Sequence, residues 1–163
     1  MTCKIIDDFL PKDDFVKLQS FILGDWFPWF YNPFILDDNK YVNYQFTHVF
    51  FRKEKQDPVT SPHYSFVEPL IIKLGVKNLF RIKANLRPQT FKPEYGGYHF
   101  DPFPKGLIAI YYINTNNGWT EFKDGNKVKS VENRMVVFDC NLEHTGVSCT
   151  DQKRRVLINF NYE

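Results

Sequence analysis

Two segments of the sequence alternate between polar and apolar residues, and this alternation constrains the fold more than any other feature. In RIKANLR (81–87) and in VLINFNY (156–162), every second side chain is apolar. Because successive side chains of a β-strand point to opposite faces of a sheet, each segment predicts a strand with one apolar and one polar face. The polar face of such a strand meets bulk water or, in a jelly roll covered by helices, lines a wet internal cavity. The sequence permits both arrangements.

The second half of the chain is a succession of short β-type runs separated by turn residues. These runs lie at residues 78–87, 97–101, 106–114, 119–123, 127–130, 134–139, 143–148 and 155–162. The tripeptide Asp124-Gly125-Asn126 falls between two of them and predicts a hairpin turn. Several short strands at this spacing favour a sandwich or a barrel.

The first half of the chain adds two predicted helices. Apolar residues at near-helical spacing predict a helix over Lys12–Leu23, and a second helix is predicted over Tyr64–Leu74. The other segments are read as strands at 3–6 and 41–52 and as loops at 24–40 and 53–62. We therefore expect a mainly β protein, a double-stranded β-helix (jelly roll) with the N-terminal helices packed on one sheet.

Composition narrows the class of protein. The 163 residues fit one domain, 1–163, and a net charge of +2 is too small to indicate a nucleic-acid partner. Cys3, Cys140 and Cys149 are scattered and odd in number, which argues against a disulfide framework and a thiolate zinc site. The N-terminus has no long apolar run, so neither a signal peptide nor a membrane helix is expected. The simplest interpretation is a reduced, cytoplasmic protein without a membrane partner.

The segment GGYHFDPF (96–103) contains a histidine and an aspartate two residues apart. On a strand, His99 and Asp101 would project from one face, which suits two ligands of a facial triad of two histidines and one carboxylate. His144, in NLEHTG, is the natural third ligand. The alternative is that both histidines are ordinary turn residues.

Arg155 strengthens the metal hypothesis. It lies eleven residues beyond His144 on the polar face of a predicted strand, where a buried guanidinium can bind a carboxylate bidentately. A metal with open positions and an inward arginine would suit a 2-oxo dicarboxylic acid. The adjacent Arg154 should point to the opposite face, and the alternative role of Arg155 is a surface salt bridge.

These residues together resemble a known family. HFD (99–101), His144 and RRVLINFNY (154–162) resemble the 2-oxoglutarate/Fe(II)-dependent dioxygenases, specifically their prolyl 4-hydroxylase-like branch. Further similar segments are IIDDFLPKDDF (5–15), IAIYYINTNNGWTEF (108–122) and NRMVVFDCNLEHTGV (133–147). The resemblance covers most of the sequence and is greatest to small stand-alone members from bacteria and their phages.

The resemblance implies a set of cofactors. His99, Asp101 and His144 would ligate Fe(II), and Arg155 would bind the far carboxylate of the cosubstrate 2-oxoglutarate. O2 would be the oxidant, succinate and CO2 the co-products, and ascorbate an additional reductant that the family admits. The protein would hydroxylate a C–H bond of its substrate.

Further cosubstrate contacts follow from the same resemblance. Tyr112 matches a family position that lines the cosubstrate pocket, although it also fits a core tyrosine. Where the family often has a tyrosine, this strand offers Asn85 or Arg87, and Asn85 is taken as a candidate cosubstrate contact. The spacing from His144 to Arg155 is slightly longer than is usual in the branch, which leaves Arg154 as the alternative carboxylate partner. The phase of the strand favours Arg155.

The prolyl-hydroxylase branch implies a prolyl residue in a peptide or protein as the substrate. The aromatic segments DWFPWFYNP (25–33) and 91–98 would frame a peptide groove, or simply pack over the barrel mouth. A free amino acid or another small molecule is an alternative substrate. A non-catalytic jelly-roll binding module and a cupin-like metalloenzyme remain alternative functions. Nucleic-acid demethylation is disfavoured because VLINFNYE (156–163) lacks a second arginine.

Overall fold

The protein folds into short antiparallel strands and two α-helices. A computed structural model describes residues 3–36, 44–101 and 105–163. Its elements are β1 (Lys4–Ile6), α1 (Lys12–Leu23), β2 (Phe30–Asn32), β3 (Gln45–Arg52), β4 (Val59–Thr60), a 3-10 turn (Tyr64–Phe66), α2 (Glu68–Leu74), β5 (Leu79–Pro88), β6 (Leu107–Tyr112), β7 (Trp119–Phe122), β8 (Lys127–Lys129), β9 (Arg134–Asp139), β10 (His144–Val147) and β11 (Arg154–Tyr162).

The strands form two antiparallel sheets. The larger sheet has the order β1-β9-β6-β11-β5-β3-β2, with β4 paired to β3, and the smaller has the order β10-β7-β8. The pairing of β7 with β8 confirms the hairpin predicted at Asp124-Gly125-Asn126, and Gly125 takes the φ of +88° that this turn needs. The prediction of a mainly β protein is confirmed.

One face of the larger sheet forms the main hydrophobic core. β5 and β11 pair so that Ile82 lies opposite Phe160 and Ala84 opposite Ile158. These side chains are fully buried, in one cluster with residues from both helices, namely Phe15, Leu18, Ile22 and Leu70. Truncating a large side chain in such a core typically costs about 2–5 kcal/mol. A second cluster lies between the two sheets and includes Ile110, Phe122, Phe138 and Leu157.

The helices have local sequence causes. In α1 the buried residues recur at helical spacing, and Asp13 and Asp14 place negative charge in the first turn, where the helix dipole favours it. α2 ends at Gly75, whose φ of +66° gives the left-handed cap that closes many helices. Neither helix within the described ranges is both long and apolar enough to cross a bilayer.

The structure departs from the sequence predictions in four places. The helix predicted over Tyr64–Leu74 is a 3-10 turn (Tyr64–Phe66) followed by the shorter α2 (Glu68–Leu74). β2 and β4 lie inside segments predicted to be loops, because each pairs with an edge of β3. Residues 97–101 do not form the predicted strand; only isolated bridges, Tyr95 to Val147 and His99 to His144, continue the pairing there. Gly97, with φ of +97°, interrupts the extended backbone between these bridges. The predicted strand residues 41–43 lie outside the described residues.

Asn133 ties the N-terminal segment to the larger sheet. Its side-chain amide donates to the Leu10 carbonyl at 2.9 Å, and its Oδ1 accepts from the Leu10 N–H and from the Tyr111 hydroxyl. Its own carbonyl accepts from the Phe9 N–H at 2.8 Å. The residue is buried and has a φ of +59°, a conformation that asparagine tolerates better than most residues.

We expect Asn133→Ala to lower the free energy of unfolding by about 2–4 kcal/mol, because it leaves buried polar groups of Leu10 and Tyr111 unpaired. Chemical denaturation would measure the loss. The control is Asn141→Ala, at an exposed asparagine bonded only to Asp139 by its side chain, with an expected loss below about 1 kcal/mol. Equal losses in the two variants would contradict this role of Asn133.

Candidate functional site

A polar cavity of about 90 Å³ lies between the two sheets. The polar faces of β5 and β11 line it. The polar side chains of the two alternating segments therefore face an internal cavity and not bulk water. From β5 come Arg81, Lys83, Asn85 and Arg87; from β11 come Arg155, Leu157 and Asn159. His99, Asp101 and His144 line the same cavity, which brings the predicted ligands and the predicted arginine together.

The two histidines lie side by side. The backbone N–H of each donates to the carbonyl of the other, at 3.0 and 3.1 Å, and the ring centroids of His99 and His144 are 4.6 Å apart. The Nδ1 atoms lie 3.1 Å from the Gly97 carbonyl and 3.0 Å from the Leu142 carbonyl. Since a ring nitrogen facing a carbonyl must carry the proton, each Nε2 keeps its lone pair for a metal.

Burial keeps His144 in the neutral form. Desolvation and the neighbouring His99 lower the pKa of His144 to about 4. A neutral imidazole is the form that ligates metals, so no proton has to be displaced at neutral pH.

Asp101 is buried and ionised. Burial acts to raise its pKa, but the Arg81 guanidinium and the hydrogen bond from Asn161 outweigh burial and hold the pKa below its ordinary value. Arg81 Nη2 donates to Oδ1 at 3.1 Å, and Asn161 Nδ2 donates to Oδ2 at 2.7 Å.

The donor types suit a divalent iron site. Two imidazoles with free Nε2 atoms and one carboxylate are the set of ligands used in facial triads. Among the residues that the structure describes, no three His, Cys, Asp or Glu side chains are grouped closely enough to hold a metal ion. The two Asp101 oxygens instead accept hydrogen bonds from Arg81 and Asn161. The assignment of His99, Asp101 and His144 as iron ligands stays a prediction.

Arg155 is a buried cation at one end of the cavity. Arg155 is only 3% exposed. Its Nε donates to Ser130 Oγ at 2.9 Å, and its Nη2 donates to Thr120 Oγ1 at 3.2 Å. Within the described parts of the protein, no carboxylate forms an ion pair with it. Desolvation lowers its pKa, which is the sign of a charge that lacks compensation. The site can therefore accept an anion.

Arg154 has a different environment. Its Nη2 donates to the carbonyl of Leu23 at the end of α1, on the opposite face of β11. It is absent from the cavity lining. The geometry agrees with the strand phase that favoured Arg155 over Arg154.

Glycines allow the backbone to approach the Arg155 side chain. A Cβ on Gly118 would lie 2.7 Å from Arg155 Cδ and 2.8 Å from the Val147 carbonyl oxygen. A Cβ on Gly146 would lie 3.4 Å from Arg155 Nη1, an ordinary contact. Only glycine fits at position 118 with Arg155 in this position.

The other predicted cosubstrate residues have different surroundings. Tyr112 is fully buried, donates its hydroxyl proton to Thr120 Oγ1 at 2.7 Å and faces the Arg155 guanidinium with its ring, but does not line the cavity. Asn85 lines the cavity and its buried Oδ1 has no hydrogen-bond partner. Arg87 lies directly opposite Arg155 across the strand pair and donates to the Gly146 carbonyl at 2.9 Å.

Several site residues were not singled out from the sequence. Arg81 and Lys83 share the polar face of RIKANLR with Asn85, so the alternation already indicated that they face the same way. Nothing in the sequence indicated that Thr120 and Ser130 would hold the Arg155 guanidinium, because Thr120 lies on β7 and Ser130 directly after β8, both remote from β11 in sequence.

Sequence comparisons identify no relative: no protein-family model matches the protein, and a search of curated proteins found no match. Solved structures do match. A 2OG-Fe(II) oxygenase family oxidoreductase from Burkholderia pseudomallei has a TM-score of 0.70 and 12% identity, over 98% of this protein and 84% of that one.

Two prolyl hydroxylases are also similar in structure. One, from Trichoplax adhaerens and in complex with a hypoxia inducible factor oxygen degradation domain peptide fragment, has a TM-score of 0.66 and 12% identity over 98% of this protein and 83% of its own length. A Pseudomonas putida prolyl-4-hydroxylase has a TM-score of 0.60 and 16% identity, over 99% of this protein and 92% of that one. Nearly the whole protein thus has the fold found in 2-oxoglutarate/Fe(II) oxygenases and prolyl hydroxylases.

Proposed function

We propose that the protein is an Fe(II)- and 2-oxoglutarate-dependent dioxygenase formed by a single domain, residues 1–163, with its two sheets arranged as a double-stranded β-helix and its N-terminal helices packed on the larger sheet. The observation that carries the proposal is Arg155, a buried cation without a carboxylate partner in the described residues, which opens on the cavity that also contains His99, Asp101 and His144. The fold shared with oxygenases supports it.

Each residue has a defined task in this proposal. His99, Asp101 and His144 hold Fe(II), and Arg155 binds the far carboxylate of 2-oxoglutarate with help from the Thr120 and Ser130 hydroxyls, which fix the guanidinium. Tyr112 positions Arg155 through its ring, and Asn85 offers a free amide oxygen on the cavity side. When bound, iron and 2-oxoglutarate activate O2, giving succinate, CO2 and a hydroxylated substrate; ascorbate would keep the iron reduced.

A prolyl residue in a peptide or protein is the proposed substrate class. The Trichoplax prolyl hydroxylase of similar fold is bound to a peptide fragment. Aromatic side chains are exposed here on β2 (Phe30 and Tyr31), on the loop before it (Trp26) and on the loop after β5 (Phe91). We propose a cytoplasmic location, since Cys3, Cys140 and Cys149 are all free thiols, as a reducing compartment would keep them.

The first test needs no knowledge of the substrate. Anaerobic addition of Fe(II) and then 2-oxoglutarate to the wild-type protein should produce a metal-to-keto-acid charge-transfer absorbance. We expect His99→Ala to abolish this band because it removes one of the proposed ligands. His63→Gln, at a histidine outside the cavity, is the control and should retain the band. A folded wild-type protein without the band would refute the proposal and favour a binding module.

The second test separates cosubstrate binding from metal binding. Arg155→Ala should raise the 2-oxoglutarate concentration at half-maximal absorbance by about 10- to 100-fold, because it removes a charge-assisted pair worth about 1.5–3 kcal/mol. Fe(II) affinity should change little, since Arg155 lies outside the proposed set of ligands. Arg154→Ala should leave both affinities near the wild-type values. Loss of iron binding in Arg155→Ala would show that this arginine is structural.

A further inference from the structure

Lys83 is a further positive charge that lines the cavity and has no role in binding the proposed cosubstrate. It lies on β5 with its side chain in the cavity, directly opposite Asn159 of β11. No hydrogen bond or ion pair of its ammonium group is formed with any described residue. Burial, aided by the charge of Arg81, lowers the pKa of Lys83 to about 8, so the group stays largely protonated at neutral pH.

The acidic group whose charge acts on Lys83 already has hydrogen-bond partners. Asp101 is the carboxylate whose charge acts on Lys83, but both Asp101 oxygens accept hydrogen bonds from Arg81 and Asn161. Beside Lys83, the Oδ1 atoms of Asn85 and Asn159 are buried without a hydrogen-bond partner. Buried polar groups normally have partners, and an amide oxygen accepts hydrogen bonds, so these two atoms would receive a donor group of a ligand, such as an amine or a hydroxyl.

Among the lining residues that the structure describes, positive charges outnumber negative ones even with the proposed cofactors. Arg81, Lys83, Arg87 and Arg155 line it, and among the described lining residues Asp101 is the sole carboxylate. A divalent metal and a dianionic 2-oxoglutarate add no net charge between them. An excess of positive charge therefore remains for a further anion.

Lys83 is also distant from the cosubstrate arginine. Lys83 and Arg87 are four residues apart on β5, about 13 Å at about 3.3 Å per residue, and Arg87 lies opposite Arg155. With the far carboxylate of 2-oxoglutarate at Arg155 and its keto-acid end at the metal, both ends of the cosubstrate are occupied. The Lys83 ammonium is then available to the substrate itself.

We infer that Lys83 binds a free carboxylate of the substrate, so that the reacting molecule is an amino or imino acid or the C-terminal residue of a peptide, and not an interior residue of a peptide. This inference rests on the proposed dioxygenase function and changes its substrate class: it retains the C-terminal residue of a peptide, adds free amino and imino acids, and excludes interior prolyl residues. A residue inside a peptide presents a neutral amide at this position, which leaves the ammonium unpaired. A free carboxylate supplies the missing charge.

Calorimetry with matched probes tests the inference without turnover. N-acetyl-L-proline and the neutral N-acetyl-L-prolinamide are titrated into protein holding Mn(II) and 2-oxoglutarate. For the wild type we expect the acid to bind about 10- to 100-fold more tightly than the amide. The same pair built on alanine should show the same preference for the acid, because the carboxylate is what Lys83 recognises.

Variants of Lys83 then assign the preference. Lys83→Met should reduce it to within about twofold, whereas Lys83→Arg, which keeps the charge, should retain most of it. Lys129→Met is the control, because Lys129 is exposed on β8 outside the cavity, and it should behave as the wild type. Circular dichroism verifies the fold of each variant.

Three results would overturn the inference while leaving the dioxygenase proposal standing. The first is that a wild type that binds 2-oxoglutarate binds the acid and the amide equally, or binds neither detectably. The second is that the preference for the acid survives Lys83→Met. The third is that Lys83→Met lowers only the affinity for 2-oxoglutarate. In the last case Lys83 belongs to the cosubstrate site. A wild type that fails to bind 2-oxoglutarate with Mn(II) would instead overturn the proposed function, and this inference with it.

Discussion

The pairing of β5 with β11 is the constraint on which the core and the candidate site both depend. Ile82 and the opposite Phe160 lie in the main hydrophobic core, while Lys83 and the opposite Asn159 line the cavity. A shift of one residue in this register would turn the charged side chains into the core and the apolar ones into the cavity. The buried aromatic and aliphatic residues of this core therefore hold the charges of the site in place.

The site keeps charge in a place where burial disfavours it. Arg155 and Arg87 donate hydrogen bonds to the hydroxyls of Thr120 and Ser130 and to the Gly146 carbonyl, and neither forms an ion pair with a carboxylate of the described residues. Such dipoles stabilise a buried cation without neutralising it, which leaves its field available to an anion. A carboxylate beside either guanidinium would occupy it and make a poorer anion site. Asp101 is the contrasting case, since its ion pair with Arg81 satisfies it before any metal arrives.

Much of the fold could be predicted where one local pattern determines it. α1 has the predicted bounds because Phe15, Leu18 and Ile22 recur at the helical period, and β11 was predicted from strict alternation. β2 was missed because it is a short, largely exposed edge strand whose β conformation depends on its pairing with β3. The strand predicted at 97–101 was wrong because pairing there is limited to single bridges beside Gly97.

The candidate site was less fully predictable, for a physical reason. Which residues share a face of a strand is a local property, so Arg155 could be placed on the polar face of β11 from the sequence alone. His99 and Asp101 were paired on the expectation of a strand at 97–101, which the structure does not form. Which residue bonds to which depends on distances across the fold. The Arg81 bond to Asp101 and the Thr120 and Ser130 bonds to Arg155 join segments that are remote in sequence, and no periodicity encodes them.

The position of the Arg155 side chain also depends on Gly118, a residue without a side chain. Its backbone lies so close to Arg155 that any Cβ would collide with the guanidinium stem and the Val147 carbonyl. Any selection that maintains the position of the Arg155 guanidinium would therefore also act on Gly118, a position that has no side chain of its own.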